Sequence, residues 1–245
     1  MIINNETIGI CCEIAISDYF GIKVDENYRK RGNEEIEKSL ISIIKHTFNI
    51  NSIPKPVKLI SAKQNKIDIK LENNQTLSVK SNKKELGKVA PQVIGQPSSR
   101  TFFEKISQYN IGITNSIFCN NNFKNLEYRK TLFKNLVFFS PEKLIKIYWE
   151  HLFEADYLIC FFNILDRNNN ITGNPESICL TKECLPPLDK NDFSFTRTIE
   201  NWNESNTIKY KKISIGEFQI HNNRDNFKFR FNFNGLLKAG LIAKR

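Results

Sequence analysis

The 245-residue sequence predicts a mixed α/β fold, of the α+β kind with a mixed sheet, on three observations. The segments Glu6 to Phe20 and Asn33 to about Phe48 carry apolar residues at helical spacing. Lys66 to Asn82 alternates apolar and polar residues on both sides of an Asn pair. Ile213 to Phe233 does the same around Asn222 to Asp225, so the chain ends in a β-rich part.

In the first helix the apolar stripe is Ile8, Cys12, Ala15 and Tyr19, with Asn4 or Asn5 placed to cap its start. Glu13 falls off that stripe on the side of Gly9, whose small size permits close approach to the acid. Asn33 caps the second helix, whose face is Ile36, Leu40, Ile43, Ile44 and Phe48. Pro54 and Pro56 then break the chain before a strand near Val57 to Ser61.

The alternating segment that follows is a β-hairpin. A two-residue Asn-Asn loop would mix polar and apolar groups on each face, whereas a three-residue loop, Asn73 to Gln75, separates them. That register gathers Ile67, Ile69, Leu71, Leu77 and Val79 on one face and sets Asp68 opposite Lys80 and Lys70 opposite Ser78. Asn tolerates the left-handed backbone such a loop needs. A carboxylate beside an ammonium can serve phosphodiester hydrolysis: the acid holds Mg²⁺ and the lysine orients water or offsets developing charge. The plainer reading is a surface ion pair that adds little to stability.

Downstream, Gly87 to Pro97 is too rich in Gly and Pro for a long helix and reads as a loop with one helical turn. Ser98 to Gln108 reads as a helix and Ile111 to Cys119 as a strand. Ser140-Pro141-Glu142 starts a helix that runs to about Phe153, with His151 as a packing residue. Tyr157 to Ile164 either extends that helix or forms a buried strand, and Asp166 to Gly173 is an Asn-rich loop. The apolar phase then changes at Gly216, the mark of a β-bulge. A four-residue turn pairs Ile220 with Phe227 and Phe218 with Phe229, which leaves Gln219, His221, Lys228 and Arg230 on the opposite face.

Asp68 and Ser78-Val79-Lys80 resemble the active-site hairpin of the PD-(D/E)XK nucleases, and type II restriction endonucleases in particular. There an Asp on one strand is followed on the next by an acid, any residue and Lys. Ile67 stands at the family's often-variable Pro, and Ser78 replaces the expected acid. The resemblance implies a restriction-endonuclease-like core with an added helical segment, and an acid from the first helix entering the site. Glu13 matches that placement, while Glu6 and Glu72 are weaker substitutes. The implied site is Asp68, Ser78, Lys80 and Glu13, with Mg²⁺ held by Asp68, Glu13 and the main chain at Val79. The chain then divides into a nuclease core, 1–122, and a helical and β-rich DNA-reading part packed on it, 123–245, or forms one continuous domain.

The resemblance extends to the loop after the lysine strand, where Gln92 and Gln96 can bond adenine or be ordinary loop polarity, and through Arg100. The C-terminal ribbon offers Gln219, His221, Lys228, Arg230 and, at its tip, Arg224 to a DNA groove; its alternative is a half-solvated hairpin. The implied reaction is sequence-specific cleavage of double-stranded DNA leaving a 5′-phosphate, by a homodimer where the site is palindromic. A DNA methyltransferase of the same specificity would act separately. The competing classes are a DNA-binding protein whose hairpin has lost activity, as Ser78 suggests, and a repair nuclease of the same fold.

Composition agrees with a phosphate-binding surface. Lys and Arg number 36 against 26 Asp and Glu, a formal net charge of +10. An anionic membrane or simple solubility are the other uses of such a surplus. No apolar run approaches the ~20 residues that span a bilayer, and the start lacks the marks of an export signal. Six scattered cysteines lack zinc spacing and read as reduced thiols. The abundance of Asn, Lys and Ile suggests an AT-rich bacterial genome, and with no export marks the expectation is a cytoplasmic bacterial protein.

Overall fold

A computed structural model describes residues 3–61, 67–91, 94–109, 111–221 and 223–243. The chain forms two compact units interleaved in sequence. The first comprises Met1–Gly87, Phe153–Cys184 and Ala243–Arg245, and the second Lys88–Leu152 and Leu185–Ile242. Each unit therefore draws on both sides of the 122/123 division.

In the first unit, helix α1 spans Asn5–Tyr19 and is capped by Asn4, whose side chain accepts from the Thr7 N–H. A short α2, Glu26–Arg29, is capped by Asp25. Helix α3, Glu34–Ile50, is capped by Asn33 and buries Ile36, Leu40, Ile44 and Phe48, with Ile43 half-buried at the margin. Five strands form one mixed sheet: β1 (Pro56–Leu59), β2 (Ile69–Leu71), β3 (Thr76–Ser81), β5 (Tyr157–Phe162) and β6 (Glu176–Leu180), adjacent in that order. All pairs are antiparallel except β3 with β5. Tyr157 to Phe162 is thus the buried strand rather than a helix extension. Ile69, Leu71, Leu77 and Val79 join Ile8, Cys12, Leu40, Ile44, Ile159 and Phe161 in one apolar cluster.

The β2–β3 register differs from the expected one. Ile69 pairs with Leu77 and Lys70 with Thr76, and the Asp68 N–H donates to the Leu77 carbonyl at 3.1 Å. The loop is Glu72 to Asn74, with Asn73 and Asn74 left-handed at φ 60° and 61°. Asp68 consequently lies level with Ser78, not Lys80, and Lys70 faces Thr76, not Ser78. The slip is of two residues, so Ile69, Leu71, Leu77 and Val79 keep their common face, because side chains alternate with period two, while Ile67 is left half-buried outside the cluster.

The second unit holds an antiparallel sheet in the order β4 (Lys88–Val89), β10 (Asn226–Asn232), β9 (Ile213–His221), β8 (Ser205–Tyr210) and β7 (Phe193–Phe195). Its helices are α4 (Ser99–Ile106), α5 (Leu126–Phe139), α6 (Pro141–Leu152) and α7 (Phe233–Lys238). Phe102, Phe133, Tyr148, Trp149, Trp202, Phe218, Phe227 and Phe229 are fully buried and pack ring against ring. Ile220 pairs with Phe227 and Phe218 with Phe229, as expected, and the ladder shifts between Ile208 and Lys209, opposite Gly216 and Ser214.

Two expectations fail here. Ile111 to Cys119 is not a strand; its second half is a 3₁₀ turn, Asn115–Cys119. Apolar Ile111 and Ile113 are followed by Asn115 and Ser116, which break the alternation a ladder requires. The loop after the hairpin contains a strand, since Lys88 and Val89 pair with Asn232 and Phe231. Such a two-residue strand exists through its partner and has no local signature.

Candidate active site

Three elements of the first unit bring polar groups together. The end of the β1–β2 connection supplies Asp68, strand β3 supplies Ser78, Val79 and Lys80, and α1 supplies Glu13. Asp68 is buried, at 8% exposure, on the face of the hairpin opposite the apolar cluster. Its Oδ2 accepts from the Val79 N–H at 2.6 Å and from the Ser78 hydroxyl at 3.1 Å. Ser78 occupies the position of a second acid in the resemblance, and it donates a hydrogen bond to the first acid instead. Lys80 lies two residues beyond Ser78 on the same face, a diagonal position that a long side chain can span.

Glu13 is equally buried on α1, at 8% exposure. Its Oε2 accepts a hydrogen bond from the Tyr28 hydroxyl at 2.5 Å and another from the Ser61 hydroxyl. Gly9, one turn earlier, faces the Ser81 hydroxyl, and a Cβ there would sit 3.6 Å from Oγ, an ordinary contact. Gly9 is therefore not sterically required. Glu6 lies exposed in an ion pair with Arg31, and Glu72 is exposed in the hairpin loop.

The electrostatics tie these groups into one site. Burial pushes the Glu13 carboxyl up from 4.5 to about 7, with the Asp68 charge adding to the rise; Ser61, Tyr28 and Lys80 oppose it. Burial also raises Asp68 above its ordinary value, against the Lys80 charge and the Val79 and Ser78 hydrogen bonds. The Asp68 charge thus bears on Glu13, and the Lys80 charge opposes the rise of both carboxyls. Among the described residues no hydrogen bond reaches Asp68 Oδ1 or Glu13 Oε1, while the other oxygen of each acid is tied. This donor set fits Mg²⁺, an oxygen-seeking ion that takes one or two carboxylates and completes its shell with water and substrate phosphate. No trio of His, Cys, Asp or Glu side chains gathers among the described residues, so the set is a pair. Val79 enters the site through its N–H.

Tyr28 and Ser61 were not visible as site residues in the sequence. The only signal near Tyr28 is the Asp25 cap, which fixes a one-turn helix but not the direction of the ring.

In the second unit, Lys228 pairs with Gln219 and Arg230 with Glu217 across the β9–β10 ribbon. Glu217 is the hub of the polar face. It receives Lys88 at 2.6 Å, Arg230 at 3.4 Å and the Gln219 amide at 2.6 Å. Burial and the charges of Lys228 and Arg224 lower the His221 pKa, so its ring is neutral near pH 7. Arg224 is exposed at the tip, beside Asn223 and Glu204 in a shallow cleft. Gln96 is turned inward, donating to the Pro91 carbonyl at 2.8 Å. Arg100 is exposed, paired with Glu104 on α4 and set 5.9 Å above the Phe118 ring. Gln92 lies outside the described residues.

Asp68 of the hairpin and Glu13 of α1 are thus two buried carboxyls, each under the influence of the Lys80 charge. The chain is 31% identical over 172 residues to the type II restriction enzyme CviAII of Paramecium bursaria Chlorella virus 1. That stretch covers 69% of this chain and 43% of the viral protein, so the chain spans less than half the length of the relative it matches. No family model matches the chain, and no solved structure matches it. Among the described residues no helix is long and apolar enough to cross a membrane.

Proposed function

We propose that the chain is a type II restriction endonuclease that hydrolyses phosphodiesters of double-stranded DNA at a specific sequence with Mg²⁺, leaving a 5′-phosphate. The observation that carries this reading is the convergence of Asp68 and Glu13, from separate elements, beside Lys80. The similarity to a type II restriction enzyme and the net charge of +10 support it.

Asp68 and Glu13 would hold the ion through Oδ1 and Oε1. Mg²⁺ bound there supplies polarisation of the phosphate and acidification of a water. The Val79 N–H and the Ser78 hydroxyl fix Asp68 in one orientation, which makes its position independent of substrate. Lys80 places a cation where negative charge develops on the phosphate oxygens. In the second unit Arg224 and Lys228 contact the phosphate backbone, and Gln219 and Arg230 present donors to base edges. A palindromic target would be matched by a two-fold homodimer, with a methyltransferase of the same specificity protecting the host's own DNA.

Purified protein incubated with unmethylated phage DNA is expected to give discrete bands with Mg²⁺ and none with EDTA. Asp68→Ala should lower cleavage by more than the ~100-fold that loss of an outer partner of a metal site reaches. Intact DNA in every lane, with salt-sensitive binding retained, would overturn the enzyme reading. It would favour the second reading, a DNA-binding protein, for which Ser78 in place of an acid is the supporting feature.

A further inference from the structure

Tyr28 sits on the one-turn helix α2, and Ser61 follows strand β1, so neither belongs to the hairpin or to α1. Both hydroxyls nevertheless reach the same oxygen, Glu13 Oε2, and lie 3.4 Å from each other. The Tyr28 ring is buried in a small apolar group with Ile10, Ile14 and Val24, which fixes where its hydroxyl can point. The Arg31 guanidinium stands 5.4 Å from the centre of the ring.

Two donors on one oxygen do two things. They hold the carboxyl in a single rotation about its last bond, and they reserve Oε2 so that Oε1 is the oxygen left for another partner. A carboxylate on a helix has a long, mobile side chain, and metal affinity depends on how little freedom that chain must lose on binding. On the hairpin, Val79 and Ser78 do for Asp68 Oδ2 what Tyr28 and Ser61 do for Glu13 Oε2. The two acids are thus prepared in the same way, each with one oxygen tied and the other reached by no hydrogen bond among the described residues.

We propose that Tyr28, together with Ser61, is a positioning residue that holds the Glu13 carboxylate ready to complete a divalent-cation site with Asp68. The proposal rests on the metal-site reading above. Mn²⁺ binding measured by calorimetry without DNA separates the two. Wild type is expected to bind, Asp68→Ala and Glu13→Gln to bind far more weakly, and Tyr28→Phe to weaken binding by ~10-fold or more, the loss typical of an outer partner. Because Phe keeps the buried ring, its melting temperature should stay close to wild type, so the loss is not one of folding. Ser61→Ala should also weaken binding, and Ser61→Thr, which restores a hydroxyl, should recover it. Binding by Tyr28→Phe equal to wild type, while Asp68→Ala and Glu13→Gln lose it, overturns the positioning role and leaves the metal site standing. Wild-type protein that takes up no Mn²⁺, or that matches Asp68→Ala, overturns both.

Discussion

Glu13 carries an energetic signature of its proposed work. Its carboxyl titrates at about 7 in the folded chain against an ordinary 4.5, mainly because burial disfavours the charge. The folded state therefore holds a proton that the unfolded chain has released between those values, and stability falls as pH rises through that window. At ~1.4 kcal/mol per pH unit the full effect approaches ~3 kcal/mol above pH 7 and vanishes below pH 4.5. Glu13→Gln cannot titrate, so in metal-free buffer it should gain on wild type as pH rises from about 4.5 to 8. Thermal melts of both proteins across that range measure the gap, and parallel curves would contradict the assignment. Asp68 and Glu13 were legible as candidates because one stands on the polar face of an alternating hairpin that also carries Lys80, and the other leaves a helical stripe. Tyr28 and Ser61 were not, since a hydroxyl that reaches across elements leaves no period in the sequence. The Asp68 to Lys80 pairing was misread for a similar reason: burial fixes which face a residue occupies, but not its opposite number.

At the level of elements, the loop at Gly95 closely approaches the β9–β10 ribbon. Gly95 has φ 71°, its carbonyl accepts from the Phe227 N–H at 3.0 Å, and a Cβ there would lie 1.8 Å from the Phe227 carbonyl oxygen. Neither backbone can yield without breaking that bond, so Gly95→Ala should cost ~3 kcal/mol or more. With ~2–4 °C per kcal/mol for domains of this size, the melting temperature should fall by roughly 6–12 °C. An unchanged melt would show that the loop detaches freely from β10. Legibility divides along similar lines. Helix α3 could be read because an Asn cap and an apolar stripe agree, and β9–β10 because a four-residue turn leaves one register for four alternating phenylalanines. Helix α1 could be read by its Asn4 cap, although its burial runs nearly all round and Tyr19 of the expected stripe is exposed. Helix α5 was missed: although Asn125 caps it, Phe133 and Val137 are its buried residues, too few to make a stripe. Strand β4 owes its existence to a partner far away in sequence.

For the whole molecule, the interleaving of two units was hidden because parallel pairing needs a long crossover. Strand β5 lies beside β3, yet the chain between them, from Asn82 to Asp156, includes β4 and three helices of the second unit. Nothing in a linear reading marks such an excursion. The net charge of +10, in contrast, needs no fold to be read, and it predicts how DNA binding responds to salt. If six phosphates are neutralised, affinity should fall ~10³-fold between 50 and 200 mM salt. The contributions of individual cations should differ in a way the sequence alone would not suggest. Arg224 is exposed at the tip and Lys228 stands on the ribbon, so each change to Ala should reduce the log–log salt slope by about 1. Arg230 and Lys88 already share Glu217, and His221 is neutral near pH 7, so Arg230→Ala, Lys88→Ala and His221→Ala should change the slope less. Titrations of a short duplex at several salt concentrations test this ordering. Equal slopes for Arg224→Ala, Lys228→Ala and wild type would remove the ribbon from the phosphate-binding surface and place the contacts elsewhere among the cationic residues.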